Sequence, residues 1–275
     1  MPNEKPIISE IPEVPQEIID AVNDKNLLVF IGAGVSRIVG GPSWEILAQK
    51  LIGACYGDGE DKISYFECEE VKKNNPKKII SIAKRILGNS QYREKVKEFL
   101  KPDSRKTEEY PIYDYIYRLR ATYLTTNVDD IFDSKFRTET HLKLHPFGMK
   151  ADSIQPLMLC HVHGSINSPD TLILTVAEYL EHYSDKPWVD DLLVPLFKNN
   201  VVLFIGYGME ETEILENIIR KSKSILSQAF KKFILLPFYS ANQNVFRHEK
   251  NFYQEMNVEA IGYSIDKKVI FSCSM

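Results

Sequence analysis

Four short clusters of chemically able or conformationally special residues punctuate the chain, each just after an apolar run. Gly32-Ala33-Gly34-Val35-Ser36 follows Leu27–Ile31, and Thr126-Asn127-Val128-Asp129 follows Tyr123-Leu124-Thr125. His161-Val162-His163-Gly164-Ser165 follows Leu157–Cys160, and Gly206-Tyr207-Gly208 follows Val201–Ile205. A glycine pair after a strand lets backbone N–H groups approach a pyrophosphate, because no Cβ blocks the way, and it serves equally to pack a strand against a helix. Asn127 and Asp129 can offer an amide and a carboxylate to sugar hydroxyls, and they are also ordinary turn residues. Asp130 reads as the N-cap of a helix starting at Ile131. His163 titrates near ~6.5 and can take a proton from a hydroxyl or a water. His161 reads as a packed or hydrogen-bonded core histidine. Gly206-Tyr207-Gly208 can lie against an adenine or its ribose, or simply turn a strand into a helix.

Other chemistries lose their basis in the same residues. Arg37 occupies the sixth position of a G-x-G-x-x-G fingerprint, and no acidic residue ends a second strand some ~20 residues on, so the glycine loop is not that of an ordinary dehydrogenase. No G-x-S-x-G elbow and no P-loop occurs. His141, His145, Cys160, His161 and His163 lie close in sequence, but a strand points Cys160 away from both His161 and His163, and no pair has a familiar zinc spacing. Cys55, Cys68, Cys160 and Cys273 form no C-x-x-C pair. They read as reduced, buried thiols without a disulfide or zinc-ribbon framework, and no metal is expected.

The clusters need strands to carry them, and the apolar runs supply these. Leu27–Ile31 and Val201–Ile205 are continuous, the pattern of parallel strands buried on both faces, and Phe233–Leu236 adds a fifth run. Helical spacings lie between them: Trp44, Leu47, Ala48, Leu51 and Ile52 after an N-cap at Ser43, and Ile214, Leu215, Ile218 and Ile219 after the fourth strand. Strands alternating with helices predict an α/β fold with a doubly wound, parallel, Rossmann-like sheet. Ligands of such sheets bind outside the carboxyl ends of the strands, where all four clusters fall. Residues 1–24 read as a proline-rich arm and a short helix near Gln16–Val22, and residues 25–275 as one nucleotide-binding domain. A helical insertion at about 58–120 interrupts the α/β series.

Composition narrows the partners. With 275 residues, 44% hydrophobic and 26% charged, the chain can bury a sizeable core. A formal net charge of −4 argues against a nucleic-acid binder acting through a dominant basic surface, and Lys72, Lys73, Lys77 and Lys78 read as a solvated helix face. No apolar run approaches the ~18 residues of a membrane span, and the polar N-terminus has no signal-peptide core, so a cytoplasmic location without membrane contact is expected.

Taken in order, Gly32-Ala33-Gly34-Val35-Ser36, Thr126-Asn127-Val128-Asp129, His163-Gly164-Ser165 and Phe204-Ile205-Gly206-Tyr207-Gly208 resemble the sirtuin superfamily, most closely its bacterial sirtuin-like NAD hydrolases of antiphage defence. Gly41-Pro42-Ser43-Trp44, Leu172-Ile173-Leu174-Thr175 and Glu178-Tyr179 extend the likeness, which spans about Leu27 to Ile214. The resemblance implies that NAD is the substrate, with Gly32, Ala33, Gly34 and Ser36 at its phosphates and Gly206, Tyr207 and Gly208 at the adenosine end. It places Asn127, beside Thr126, at the nicotinamide ribose, makes His163 the general base and lets Asp129 assist in placing ribose or water. The chain lacks the four-cysteine zinc ribbon and the aromatic–arginine pair of deacylating sirtuins, and it has Gly208 and Glu211 where the branch often has Ser and Asp. The activity implied is cleavage of NAD to nicotinamide and ADP-ribose by a homo-oligomer, switched on by a partner chain or by further domains. Protein deacylation, ADP-ribosyl transfer and a non-catalytic NAD- or ADP-ribose-sensing module are the alternatives.

Overall fold

The computed structural model describes residues 6–8, 11–60, 62–136, 141–184, 187–208 and 231–267. Pro6–Ile8 form a short strand, β1, followed by helix α1 (Gln16–Asn23). The central strand β2 (Leu27–Ile31) is buried along its whole length. A run of helices separates it from the next strand: α2 (Ala33–Ile38), α3 (Trp44–Gly53), α4 (Tyr65–Val71), α5 (Pro76–Phe99, broken at Gly88), α6 (Ser104–Glu109) and α7 (Ile112–Arg118). Then come β3 (Thr122–Thr125), the two-residue β4 (Leu142–Lys143), β5 (Leu159–His161) and helix α8 (Val176–Tyr183). A π-turn at Val189–Leu193 runs into α9 (Val194–Asn199), and β6 (Val201–Ile205), β7 (Lys232–Phe238), α10 (Gln243–Glu255) and β8 (Glu259–Lys267) complete the described chain.

The sheet order is β1-β8-β7-β6-β2-β3-β5-β4, and every neighbouring pair is parallel except β1 with β8. The arm is therefore not merely extended: part of it pairs antiparallel with β8 and covers that edge of the sheet, which blunts an exposed ladder. Alternation along β2 feeds two cores. Leu28 and Phe30 join Leu124, Phe197, Phe204 and Ile234 on one face, while Leu27, Val29 and Ile31 join Tyr123, Leu203 and Phe233 on the other. That two-sided burial is why these strands read as unbroken apolar runs. A third cluster, built from α3, α5 and Leu100, reaches the carboxyl-end loops through Val128, Ile166, Leu172 and Leu174.

Local sequence explains the helix starts. The Ser43 hydroxyl accepts the Ile46 N–H at 3.3 Å, and Asn75 caps α5 ahead of Pro76. Ser64 with Glu67 and Thr175 with Glu178 form reciprocal capping boxes on α4 and α8. Lys72 and Lys73 pair with Glu69 and Glu70 at the end of α4, whereas Lys77 and Lys78 belong to α5 and Lys77 packs over the Tyr179 ring, so the four lysines do not share one solvated helix face. Two local expectations shift. Leu157 takes φ 66°, so the strand read from Leu157 begins at Leu159. No helix begins at Ile131, and Asp130 caps none: Asp129 Oδ1 accepts the Ile131 N–H at 3.2 Å, closing an Asx turn, and a single 3₁₀ turn follows at Asp133–Lys135. The helix read at Ile214–Ile219 lies outside the described residues, as do Glu211 and Cys273. Among the described residues no helix is long and apolar enough to cross a membrane.

Candidate active site

The order β6-β2-β3-β5 sets the four clusters side by side along the carboxyl edge: Gly206, then Gly32, Asn127 and His163. The chain leaves β2 toward β3 and leaves β6 toward β7, in opposite directions, so their ends flank the topological switch point where open α/β sheets bind ligands. The two glycine turns meet there backbone to backbone. Gly32 N–H donates to Ile205 O at 3.0 Å and Gly34 N–H to Gly206 O at 2.8 Å. A Cβ on Gly32 would stand 2.5 Å from Gly206 O, and one on Gly34 would stand 2.7 Å from it. The glycines are thus required by the contact between the two turns, which brings α2 and its Gly32 N-cap to the head of the crevice. Ala33 opens α2, Gly208 is exposed, and the buried Tyr207 ring packs into the core 5.2 Å from Phe30, with its Cα and ring edge both against Gly32.

Ser36 is the hub of a buried hydrogen-bond network. Its Oγ donates to Asp129 Oδ2 at 2.7 Å, accepts Asn127 Nδ2 at 3.0 Å and lies 2.7 Å from the Tyr113 hydroxyl. A hydroxyl has one proton and two lone pairs, so with its proton on Asp129 it must accept from Tyr113, and its capacity is then complete. Asn127 Nδ2 also donates to Gly32 O at 3.1 Å. Both amide hydrogens are spent on protein, and what Asn127 can present to a ligand is its carbonyl oxygen. Its own N–H is taken by Thr125 Oγ1 at 3.0 Å, while the neighbouring Thr126 N–H reaches Ile31 O at 3.3 Å. Burial raises the Asp129 carboxyl above the ordinary carboxylate range, and the bonds from Ser36 and Ile131 oppose that rise.

His161 is buried and hydrogen-bonded, as its sequence reading has it. Nδ1 lies 2.8 Å from Asn127 O and Nε2 lies 2.8 Å from Asp133 Oδ1. A carbonyl and a carboxylate only accept, so both ring nitrogens carry protons and the side chain is an imidazolium paired with Asp133. Burial alone would lower its pKa; the Asp133 bond and charge together with the Asn127 carbonyl outweigh burial and raise it. Asn167 Nδ2 donates to the other Asp133 oxygen at 3.3 Å, which ties the loop after β5 to the loop after β3.

His163, two residues on, has the opposite environment. It is fully buried between two tyrosines of α8, with Nε2 2.6 Å from the Tyr183 hydroxyl and Nδ1 3.2 Å from that of Tyr179. Burial, then the nearby His182 and Lys77, holds its pKa well below the ordinary imidazole value, so it is neutral and can accept a proton. Because both ring nitrogens face hydroxyls, a proton reaches it from outside through one of them, and Tyr183 is the less buried of the pair. Gly164 makes this turn possible: its φ is 78°, and a Cβ there would sit 2.0 Å from Thr171 O. The Lys84–Glu178 ion pair anchors α8 to α5, and Lys77 lies 3.8 Å from the centre of the Tyr179 ring.

Tyr113, Asp133 and Tyr183 are the site residues that sequence reasoning missed. Tyr183 stands one turn after Tyr179, an i,i+4 spacing visible in the sequence; the other two carried no local signal. Cys160 packs in the core on the face away from His161, with its thiol pushed up to about 12 by burial, and burial likewise pushes the Cys55 thiol up to about 11. Cys55, Cys68 and Cys160 are free thiols, and no group of three or more His, Cys, Asp or Glu among the described residues is placed to hold a metal ion.

Residues 121–261, just over half of the chain, match the family model of the SIR2-like domain. The chain belongs to the SIR2-like family. It is also 25% identical over 221 residues to Defense-associated sirtuin 2 of Bacillus subtilis, an overlap that covers 78% of this chain and 21% of that protein. The chain therefore spans about a fifth of the length of this relative. SIR2-like domains use NAD as their substrate, and the match includes Asn127, Asp129, His161, His163 and the Gly206 turn.

Proposed function

We propose that this SIR2-like domain hydrolyses the bond between nicotinamide and ribose in NAD, releasing nicotinamide and ADP-ribose, as the NAD-depleting effector of an antiphage-defence system. The observation that carries the reading is the pairing, on adjacent strand ends, of a rigidly held Asn127 amide with a buried, neutral His163. Departure of nicotinamide leaves an oxocarbenium-like ribose, so the site must tolerate developing positive charge and deliver water to one face. The Asn127 carbonyl oxygen suits both tasks without a net charge. His163 accepts the proton of the attacking water, or of a ribose hydroxyl, through Tyr183. Gly32, Ala33, Gly34 and Ser36 form the wall for the phosphates, Ser36 by fixing that wall and not by a free hydroxyl. Thr126 and Asp129 support the ribose end through the same network, and the backbone of Gly206, Tyr207 and Gly208 takes the adenosine side.

The defence role rests on the name of the Bacillus relative, whose greater length leaves room for domains that sense a trigger. An unrestrained NADase would drain its host. In this reading homo-oligomer contacts, a partner chain or further domains favour the competent state, and the protein acts in the cytoplasm.

Incubation of the purified protein with NAD over a range of concentrations tests the reading. Equimolar nicotinamide and ADP-ribose are expected, with a rate per chain that climbs with concentration. Asn127→Ala and His163→Ala should each lose ~10² to 10⁴ in rate, the usual loss for a positioned acid–base group. NAD bound without cleavage at every concentration would make the domain a sensor, and consumption only with an acyl-lysine peptide would make it a deacylase.

A further inference from the structure

The opposite edge of the sheet holds a second polar site. Between the amino ends of β7 and β8 lies a cavity of about 380 Å³ lined by Lys231, Lys232, Lys250, Gln254, Asn257 and Glu259 among others. Lys232, the first residue of β7, is only 4% exposed. Among the described residues no hydrogen bond or ion pair engages its ammonium, and burial pushes its pKa below the ordinary lysine value. Lysines this buried are rare unless paired, and the Lys232 ammonium is not among the sealed polar atoms without a partner, so it meets the cavity that its residue lines. The neighbouring Lys231 differs: it is exposed and bonded to Glu17. With Glu17 on Lys231 and Glu259 also near it, the positive charge facing the cavity comes from Lys232 at its wall and Lys250 on α10. Gln254 and Asn257, at and just beyond the end of α10, add two side-chain amides that can donate.

The geometry points to a binding site for the phosphate group of a small phosphorylated metabolite, with Lys232 and Lys250 as its cationic contacts and Gln254 and Asn257 as hydrogen-bond donors. Lysine binds phosphate as a point charge, and a bound anion supplies what the buried Lys232 lacks inside the protein. The volume lies in the range of small-molecule pockets and exceeds what a bare phosphate fills, so an esterified phosphate is the better fit. The site stands at the amino ends of the strands, away from the candidate NAD crevice, and does not depend on the NADase reading.

Thermal unfolding in inorganic phosphate, in ribose 5-phosphate and in chloride of equal ionic strength tests it. Ribose 5-phosphate should raise Tm above the chloride control, with an apparent affinity at least ~10-fold that for inorganic phosphate; equal affinities would make free phosphate the ligand of the same site. Lys250→Ala, a surface change, should weaken the apparent affinity ~10-fold, the loss expected for one charged hydrogen bond. Lys232→Met keeps the stem and removes the charge: it should abolish the ligand-dependent shift and raise the Tm of the free protein by ~2–4 °C. No rise in either phosphate compound above chloride, or a rise that survives in both variants, overturns the proposal.

Discussion

The two ends of the sheet handle buried polar groups in opposite ways. At the carboxyl end, Ser36, Asn127, Asp129, His161 and Asp133 are joined in bonds of 2.7–3.0 Å that, with Tyr113, use the Ser36 hydroxyl and the His161 ring to capacity. At the amino end, the Lys232 side chain is buried with no ion pair among the described residues and its ammonium meets the cavity, while Asn26 Oδ1 is buried without a hydrogen-bond partner among the described residues. A saturated network is rigid before any ligand arrives, and rigidity is what positions an amide and a base for chemistry. An unsaturated cation is stabilised by a ligand that brings the missing charge. On the functions proposed for them, the contrast separates a preorganised reaction site from a site that is completed by binding.

Substitutions can break or sharpen that contrast, and the largest effect is expected at its most charged point. Asp133→Ala leaves the His161 imidazolium without its counter-charge and should destabilise the fold by ~3–5 kcal/mol in urea unfolding, the usual result of breaking a buried pair. A loss under 1 kcal/mol would mean that His161 is neutral and the network slack. Ser36→Ala removes the hub and strands partners in Tyr113, Asp129 and Asn127, so a cost of ~1–3 kcal/mol is expected, with a fall in NAD cleavage beyond what the lost stability explains. Unchanged stability would show that water replaces the hydroxyl and that the network is not closed. Lys232→Met carries the opposite sign, a gain, and a loss of stability there would erase the difference between the two ends.

The smallest effect is the pH dependence set by two histidines two residues apart. His163, depressed by burial and by its cationic neighbours, adds stability above the unfolded imidazole value near ~6.5, and that stability fades as pH falls through this value. For His161 burial is outweighed by Asp133, so its contribution is complete below ~6.5 and is lost as pH rises through its raised folded value. Urea midpoints measured between about pH 5 and 8 should therefore lose part of their acid limb in His163→Gln and part of their alkaline limb in His161→Gln. Identical profiles in the two variants would contradict the opposite charge states assigned to them.

The sequence by itself determined the parallel α/β class, the strands carrying each cluster, the Ser43 cap and the gathering of glycines, Asn127 and His163 on one edge. These follow from local periodicity, turn chemistry and the rule that open sheets bind ligands at strand ends, none of which needs a distant contact. Only the tertiary structure decided what the residues do for one another. Ser36 meets Asp129 across 93 residues and Tyr113 across 77, which converts a hydroxyl read as a phosphate ligand into the centre of a scaffold. Gly32 and Gly34 prove to be required by Gly206, a contact between strand ends far apart in the chain. Asp130 caps no helix, and Asp129, one residue earlier, turns its carboxylate onto the Ile131 N–H, a choice of side-chain direction that residue type cannot reveal. Two histidines of one short segment acquire opposite charge states because one meets a carboxylate and the other meets tyrosines, and Lys232 is buried because of where β7 sits in the sheet. Burial and partner identity are properties of the packed chain, and they set the electrostatics on which the chemistry depends.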